Sequence, residues 1–249
     1  MAELGLILVG LFLPLFPLSI VFNAILERIT HPPLRSALLL IWPAIGLWLL
    51  STQNIALPPW LVTWGLATAL LYAFRLLAMR EMGRWTGFLA TSAWALLWLP
   101  AYAGVPVSQL LVFAAGFSIP LVFLTLLAGI LQQQFGAAYI GLYGSLAQRM
   151  PRFSGVLVIS TLAATATPLF PTFFGMLQVL IVSQPVPAVG VTVTWLIWSW
   201  AGARLLQGLI VGPAEPSPEH DLSVVTTWGY ALGLAGLVVA GLVLTGSRL

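Results

Sequence analysis

Residues 149–178 read RMPRFSGVLVISTLAATATPLFPTFFGMLQ. Two arginines and Pro151 lead into an apolar run that carries Thr161, Thr165 and Thr167 and is then cut by Pro168 and Pro171, with no charged side chain beside them. A proline inside a helix removes a backbone donor and bends the chain, and lipid tolerates the freed carbonyls only where protein or water satisfies them. The Pro168/Pro171 pair therefore predicts a broken helix. In transporters such breaks line binding or conduction sites.

The rest of the chain supplies the membrane. Of 249 residues, 60% are hydrophobic and 6% charged, with a mean hydropathy of +1.05. A soluble domain carries roughly 25% charged residues. The apolar runs are long and continuous, as helical spans require, rather than short and alternating as in barrel strands. The expected class is an all-α integral membrane protein with a single membrane domain over 1–249. No Cys is present, which excludes disulfides and thiolate chemistry. His31 and His220 sit far apart in connecting segments, so no metal site is expected. No catalytic set, P-loop or dinucleotide fingerprint occurs, and neither an enzyme activity nor a cofactor is expected.

Windows of about 20 residues give about nine transmembrane helices. Their cores are Leu4 to Leu26, Ala37 to Leu50, Leu57 to Phe74, Trp85 to Ala103, Val107 to Leu131, Phe153 to Thr167, Pro171 to Ser183, Val186 to Val211 and Val224 to Thr245. With that count, Arg28, Arg35, Arg75, Arg80, Arg84, Arg149, Arg152 and Arg248 fall on one side, and Glu3 and the acidic PAEPSPEHD on the other. The positive-inside bias then predicts an outer N-terminus and a cytoplasmic C-terminus, in a bacterial inner membrane. Arginines at span ends explain the net charge of +3 and the pI near 9.8 without a nucleic-acid partner. The partner they imply is the lipid bilayer. Trp94, Trp98, Trp195 and Trp198 are spaced like packing faces.

The run GLYGSLAQRMPRFSGVLVISTLAATATPLFPTFFGMLQVL resembles the signature of the antiporter-like, proton-conducting membrane subunits found in respiratory complex I, multisubunit cation/proton antiporters and inorganic-carbon uptake systems. The family's G-G-L-a-r-r-M-P element reads here Gly144, Ser145, Leu146, Ala147, Gln148, Arg149, Met150, Pro151. Its L-A-x-x-G-x-P element reads Leu162, Ala163, Ala166, Pro168, and its G-F-x-x-[E/K] element falls on Thr172, Phe173, Gly175 and Met176. RLLQGLIVGP from Arg204, the Asp221-Leu222-Ser223 turn and SIPLVFLTLLAGILQQQFG are similar to further elements. The resemblance implies an antiporter-like C-terminal half-module over 107–249 and leaves the spans of 1–106 unassigned. It further implies a larger membrane complex holding a full-length antiporter-like subunit, a soluble enzyme subunit, or both.

The family's proton-passing residues are missing. Met176 stands at the Glu/Lys position, Pro120 or Leu121 at the other lysine, and the chain contains no Lys. A relay needs groups whose pKa can approach ambient pH, which Arg cannot do. The expectation is a non-conducting, degenerate subunit.

The candidate polar set at the break is Thr161, Thr165, Pro168, Pro171, Gln178 and Arg204. The threonines and Gln178 either hold a water file or satisfy the broken backbone. Arg204 either tunes a neighbour across an interface or snorkels and bonds a carbonyl. Gly229 and Gly233 give the last span a GxxxG face for helix packing. Glu27, Arg28 and His31, like Arg80, Glu81 and Arg84, are charged flanks that fix topology or dock a partner. Glu215, Glu219, His220 and Asp221 read as a solvated loop. The alternative function is an autonomous small-solute transporter using the broken helix as its site.

Overall fold

The computed structural model describes residues 2–53, 57–142, 144–212 and 220–246. Among them the chain forms twelve helices and no strand. In order these are α1 (Ala2–Phe12), α2 (Ser19–Arg28), α3 (Pro32–Thr52), α4 (Trp60–Ala78), α5 (Met82–Ala95), α6 (Trp98–Tyr102), α7 (Val107–Phe135), α8 (Leu146–Arg149), α9 (Pro151–Ala164), α10 (Pro171–Val182), α11 (Pro185–Ile210) and α12 (Val224–Gly246).

Five of these, α3, α4, α7, α11 and α12, are long and apolar enough to cross a bilayer alone. The other crossings are made by stacked pairs. α1 and α2 run end to end along α3: Gly5 lies beside Gln53, Trp42 reaches Leu11, and Glu27 and Arg35 share a pocket at the far end. α5 and α6 stack along α4 in the same way, and α9 and α10 along α12.

Among the described residues, these helices and stacked pairs traverse the bundle eight times, where nine spans were expected. At 1.5 Å per residue, α9 and α10 are about 21 and about 18 Å long. Neither crosses a hydrocarbon core of about 30 Å. The runs Phe153 to Thr167 and Pro171 to Ser183 are the two halves of one crossing.

On this count His220 and Asp221, just before α12, stand at the arginine-bearing end. Asp221 accepts backbone hydrogen bonds there, from Arg152 N at 2.8 Å and Phe153 N at 3.0 Å. It supplies a carboxylate to the N-terminus of α9, whose own N-cap residue gives no side-chain bond. Gln134 Nε2 donates to the His220 carbonyl at 2.8 Å from the same end of α7. α12 starts at that end and runs away from it, so the two ends of the described chain lie toward the opposite end of the bundle. Glu215, Glu219 and Arg248 fall outside the described residues.

The core is built around α5 and α7. Every residue of α5 except Arg84 is buried, and a helix enclosed on all sides must be apolar or small all round. α7 packs against α3, α5, α9 and α10. Trp85, Trp94, Trp98 and Trp198 are the largest fully buried side chains.

Candidate functional site at two broken helices

α9 ends at Ala164 and α10 begins at Pro171, which places the break where the two prolines predict it. Two non-glycine residues within it, Ala166 and Leu169, hold φ of 58° and 86°. Residues of this kind are rare there, cost of order 1–3 kcal/mol each, and persist only where the surroundings impose the conformation.

The surroundings here are hydrogen bonds to the freed carbonyls. Thr167 donates to Leu162 O through its backbone N at 3.2 Å and its hydroxyl at 2.8 Å. Thr172 Oγ1 donates to Ala163 O, and Trp195 Nε1 to Ala166 O at 3.1 Å. Thr165 Oγ1 donates to Thr161 O at 3.0 Å, and Thr161 Oγ1 to Leu157 O at 2.8 Å. Both Thr161 and Thr165 are buried, and their methyl groups rest on Gly202 of α11, where an added Cβ would stand 2.7 Å from Thr165 Cγ2. The hydroxyl protons of the candidate set are thus spent on backbone.

Backbone approaches the break closely from two other helices. A Cβ on Gly241 of α12 would lie 2.9 Å from Leu169 O, and one on Gly116 of α7 would lie 3.2 Å from Pro171 Cβ. Met176 is fully buried on α10, and Gln178 is half-buried on the same helix. The GxxxG pair divides. A Cβ on Gly233 would meet the Phe123 ring at 2.8 Å, whereas Gly229 has no atom within 4 Å of that position. Among the described residues, Gly233 and Gly241 are thus the α12 glycines whose Cβ positions are closely approached, and Gly229 faces no other part of the chain.

A second break lies inside the first expected span. α1 ends at Phe12 and α2 starts at Ser19, with Pro14 and Pro17 between them. Three indoles from three different helices close its carbonyls: Trp42 Nε1 on Leu11 O at 3.1 Å, Trp98 Nε1 on Leu13 O at 3.1 Å and Trp64 Nε1 on Phe16 O at 2.7 Å. Phe16 N in turn donates to Thr68 Oγ1 at 3.1 Å. Below the break the polar column continues, with Ser19 Oγ and Tyr72 OH 2.9 Å apart and Asn23 Nδ2 donating to Thr91 Oγ1 at 2.9 Å.

The signal for this break is in the sequence. Pro14-Leu15-Phe16-Pro17 and Pro168-Leu169-Phe170-Pro171 are the same tetrapeptide, PLFP. The two copies interrupt the first and sixth crossings, which run in opposite directions through the bundle.

Between the breaks, Trp198 Nε1 donates to Ser92 Oγ at 2.9 Å, Ser92 Oγ to Ala69 O at 2.7 Å, and Trp94 Nε1 to Ser118 Oγ at 3.1 Å. Among the described residues, the buried polar positions are Ser, Thr and Asn, with no Asp, Glu, Lys, Arg or His. No three His, Asp or Glu side chains cluster there as a metal site would need.

Glu27, Arg35, Glu81 and Arg84 gather at one end. Arg84 pairs with Glu27 at 3.3 Å and with Glu81 at 3.5 Å, and Glu81 caps α5 by accepting from Gly83 N and Arg84 N. Arg35 and Gln132 complete a small polar pocket with them. Two charged flanks about fifty residues apart in sequence are one cluster in space. Arg80 precedes the start of α5. Arg204 is exposed near the end of α11 and donates through Nη1 to Leu77 O at 3.0 Å, one of the carbonyls left over at the end of α4.

No family model and no curated protein matches the sequence. Solved structures do. A chain of respiratory complex I from Thermus thermophilus, solved with bound NADH, aligns with a TM-score of 0.83 at 23% identity, covering 94% of this chain and 52% of that one. A chain of the Mrp complex from Dietzia sp. DQ12-45-1b aligns with a TM-score of 0.76 at 14% identity, covering 88% and 43%. This chain shares their fold. A chain of the membrane-bound sulfane sulfur reductase, an archaeal respiratory membrane complex, shares it with a TM-score of 0.79 at 17% identity, covering 96% and 51%. The chain thus spans about half the length of the chains it matches. Coverage of 96% also brings most of residues 1–106, unassigned by motif, within the shared fold.

Proposed function

We propose that this chain is a non-catalytic, non-conducting antiporter-like membrane subunit of a larger proton-coupled complex, either complex I-like or an energy-coupled inorganic-carbon uptake system. In it the chain scaffolds a proton-conducting or catalytic partner, which is a full-length antiporter-like subunit, a soluble enzyme subunit, or both. The observation that carries this reading is the chemistry of the two breaks. A helix is interrupted where a relay would sit, yet the freed carbonyls are bonded by indoles and threonine hydroxyls, and no buried carboxylate, lysine or histidine stands among the described residues. A proton path needs side chains that exchange protons near ambient pH. The fold supports the complex, and the donor inventory supports the scaffold. With the arginine-bearing end in the cytoplasm, both ends of the described chain lie toward the outside of a cytoplasmic membrane.

One observation favours a second reading, the autonomous small-solute transporter. Paired interruptions in oppositely directed crossings mark the binding site in transporters built from inverted repeats. Extraction in mild detergent separates the two. A scaffold subunit co-purifies with partner subunits in fixed proportion, whereas a lone, stable monomer that catalyses uptake in vesicles would overturn the proposal.

A further inference from the structure

A cavity of about 850 Å³ opens between α4 and α11 at the arginine-bearing end. Arg80, Arg204 and Gln207 supply its polar lining, and Phe74, Trp85 and Ile140 part of its apolar wall. Its floor is a docked turn: Gly141 N donates to Gly208 O at 3.0 Å, and a Cβ on Gly208 would meet Ile140 Cγ2 at 2.5 Å.

The charge of this cavity differs from that of the neighbouring polar pocket. There, Arg35 and Arg84 face Glu27 and Glu81. Here, Arg80 and Arg204 line a space with no Asp or Glu among the described lining residues. Arg84 there pairs with Glu27 at 3.3 Å and with Glu81 at 3.5 Å. Arg204 commits one N–H to Leu77 O and keeps further donors. Guanidinium groups bind phosphate oxygens through paired, charge-assisted hydrogen bonds, and basic pockets between transmembrane helices on the cytoplasmic side hold anionic headgroups.

We propose that this cavity binds a phosphate-bearing anion, held by Arg80 and Arg204 with Gln207 as an added donor. The apolar wall points to a phospholipid headgroup as the source. Phe74 is 65% exposed on the outer face of α4, so one side of the cavity is continuous with the surface that meets lipid tails. A free anion such as inorganic phosphate shares the headgroup chemistry but has no use for that wall.

The test uses the protein as extracted, exchanged into phosphatidylcholine and titrated separately with phosphatidylglycerol and with inorganic phosphate. Binding is counted by native mass spectrometry and thermal stability is followed alongside. Phosphatidylglycerol is expected to bind and to raise the melting temperature, with apparent affinity about fivefold weaker in Arg80→Gln or Arg204→Gln and roughly 25-fold weaker in the pair. Arg28→Gln, an exposed arginine at the same end, should bind as the parent does. Arg80→Gln leaves the Arg204–Leu77 bond intact and keeps the test meaningful should Arg204→Gln fail to fold. Stabilisation by inorganic phosphate alone, lost in the same variants, supports the phosphate site and assigns it to a free anion. Binding that ignores headgroup charge, or that Arg28→Gln weakens as much as Arg80→Gln does, overturns the proposal.

Discussion

The indole of Trp98 donates to the carbonyl of Leu13 at 3.1 Å, and both residues are fully buried. The bond joins the first residue of α6 to the break between α1 and α2, across 85 positions of sequence. It is the counterpart of Trp195 on Ala166 at the second break. An aromatic side chain with one donor suits this task, because it fills volume and satisfies a carbonyl without bringing a charge into the bilayer.

Removing that donor has a predictable cost. Trp98→Phe leaves the Leu13 carbonyl unpaired in an apolar site, a loss of about 1–3 kcal/mol before any cavity is counted. Trp228→Phe, at a position 64% exposed on α12, serves as the control. Thermal unfolding of the purified protein should show a clear fall for the first and almost none for the second. Equal melting temperatures would mean that water replaces the indole at the break.

Topology distinguishes eight crossings from nine. Gln184 lies between α10 and α11 at the end away from the arginines, and His220 lies at the arginine end beside Gln134. A cysteine at Gln184 is expected to react with a membrane-impermeant reagent in intact cells, and one at His220 only after lysis. Nine crossings would expose His220 and leave Gln184 inside.

What could be read ahead of the structure follows from how local the chemistry is. Membrane class and the Pro168 break were legible, because apolar length and a missing N–H are properties of the residues themselves. The crossing count was not, because α9 and α10 each look like a span in a hydropathy window although each is shorter than the bilayer. The first break was hidden inside the uniformly apolar Leu4 to Leu26 run, although PLFP recurs there. Trp98 and Trp195 read as packing surfaces, since their spacing shows which way a side chain leans but not which distant carbonyl it meets. Asp221 read as part of a solvated loop because its partners, the amides of Arg152 and Phe153, lie almost seventy residues away.

The glycines of α12 and α11 separate packing from open surface. Gly241→Leu and Gly202→Leu would drive side-chain atoms into Leu169 O and into Thr165 respectively, both within 3 Å of an added Cβ. Overpacking of this kind costs typically 1–3 kcal/mol, and more where backbone is the obstacle. A Cβ added at Gly229 would have no atom from another part of the described chain within 4 Å. Expression and melting temperature should fall for the first two and hold for the third. A fold that collapses on Gly229→Leu would show that this face is covered in the folded protein.

Conduction is the most direct test of the scaffold reading. Met176 is fully buried one helical turn beyond Thr172, at the position where the resemblance places a proton-passing residue. Met176→Leu nearly conserves volume and should cost under about 1.5 kcal/mol. Thr161→Val with Thr165→Val removes two hydroxyls whose protons already go to Leu157 O and Thr161 O, and Arg204→Gln removes the donor to Leu77 O. If the breaks are closed by backbone bonding, proton-coupled transport in vesicles should stay near the parent level in all three, with any loss matching a loss of assembled complex. A water-borne path gives the opposite pattern, because its rate depends on the hydroxyls that order the water even when the complex remains intact. Abolition of coupling by the threonine pair or by Arg204→Gln in a fully assembled complex would therefore sink the non-conducting reading and make the second PLFP break part of the conduit.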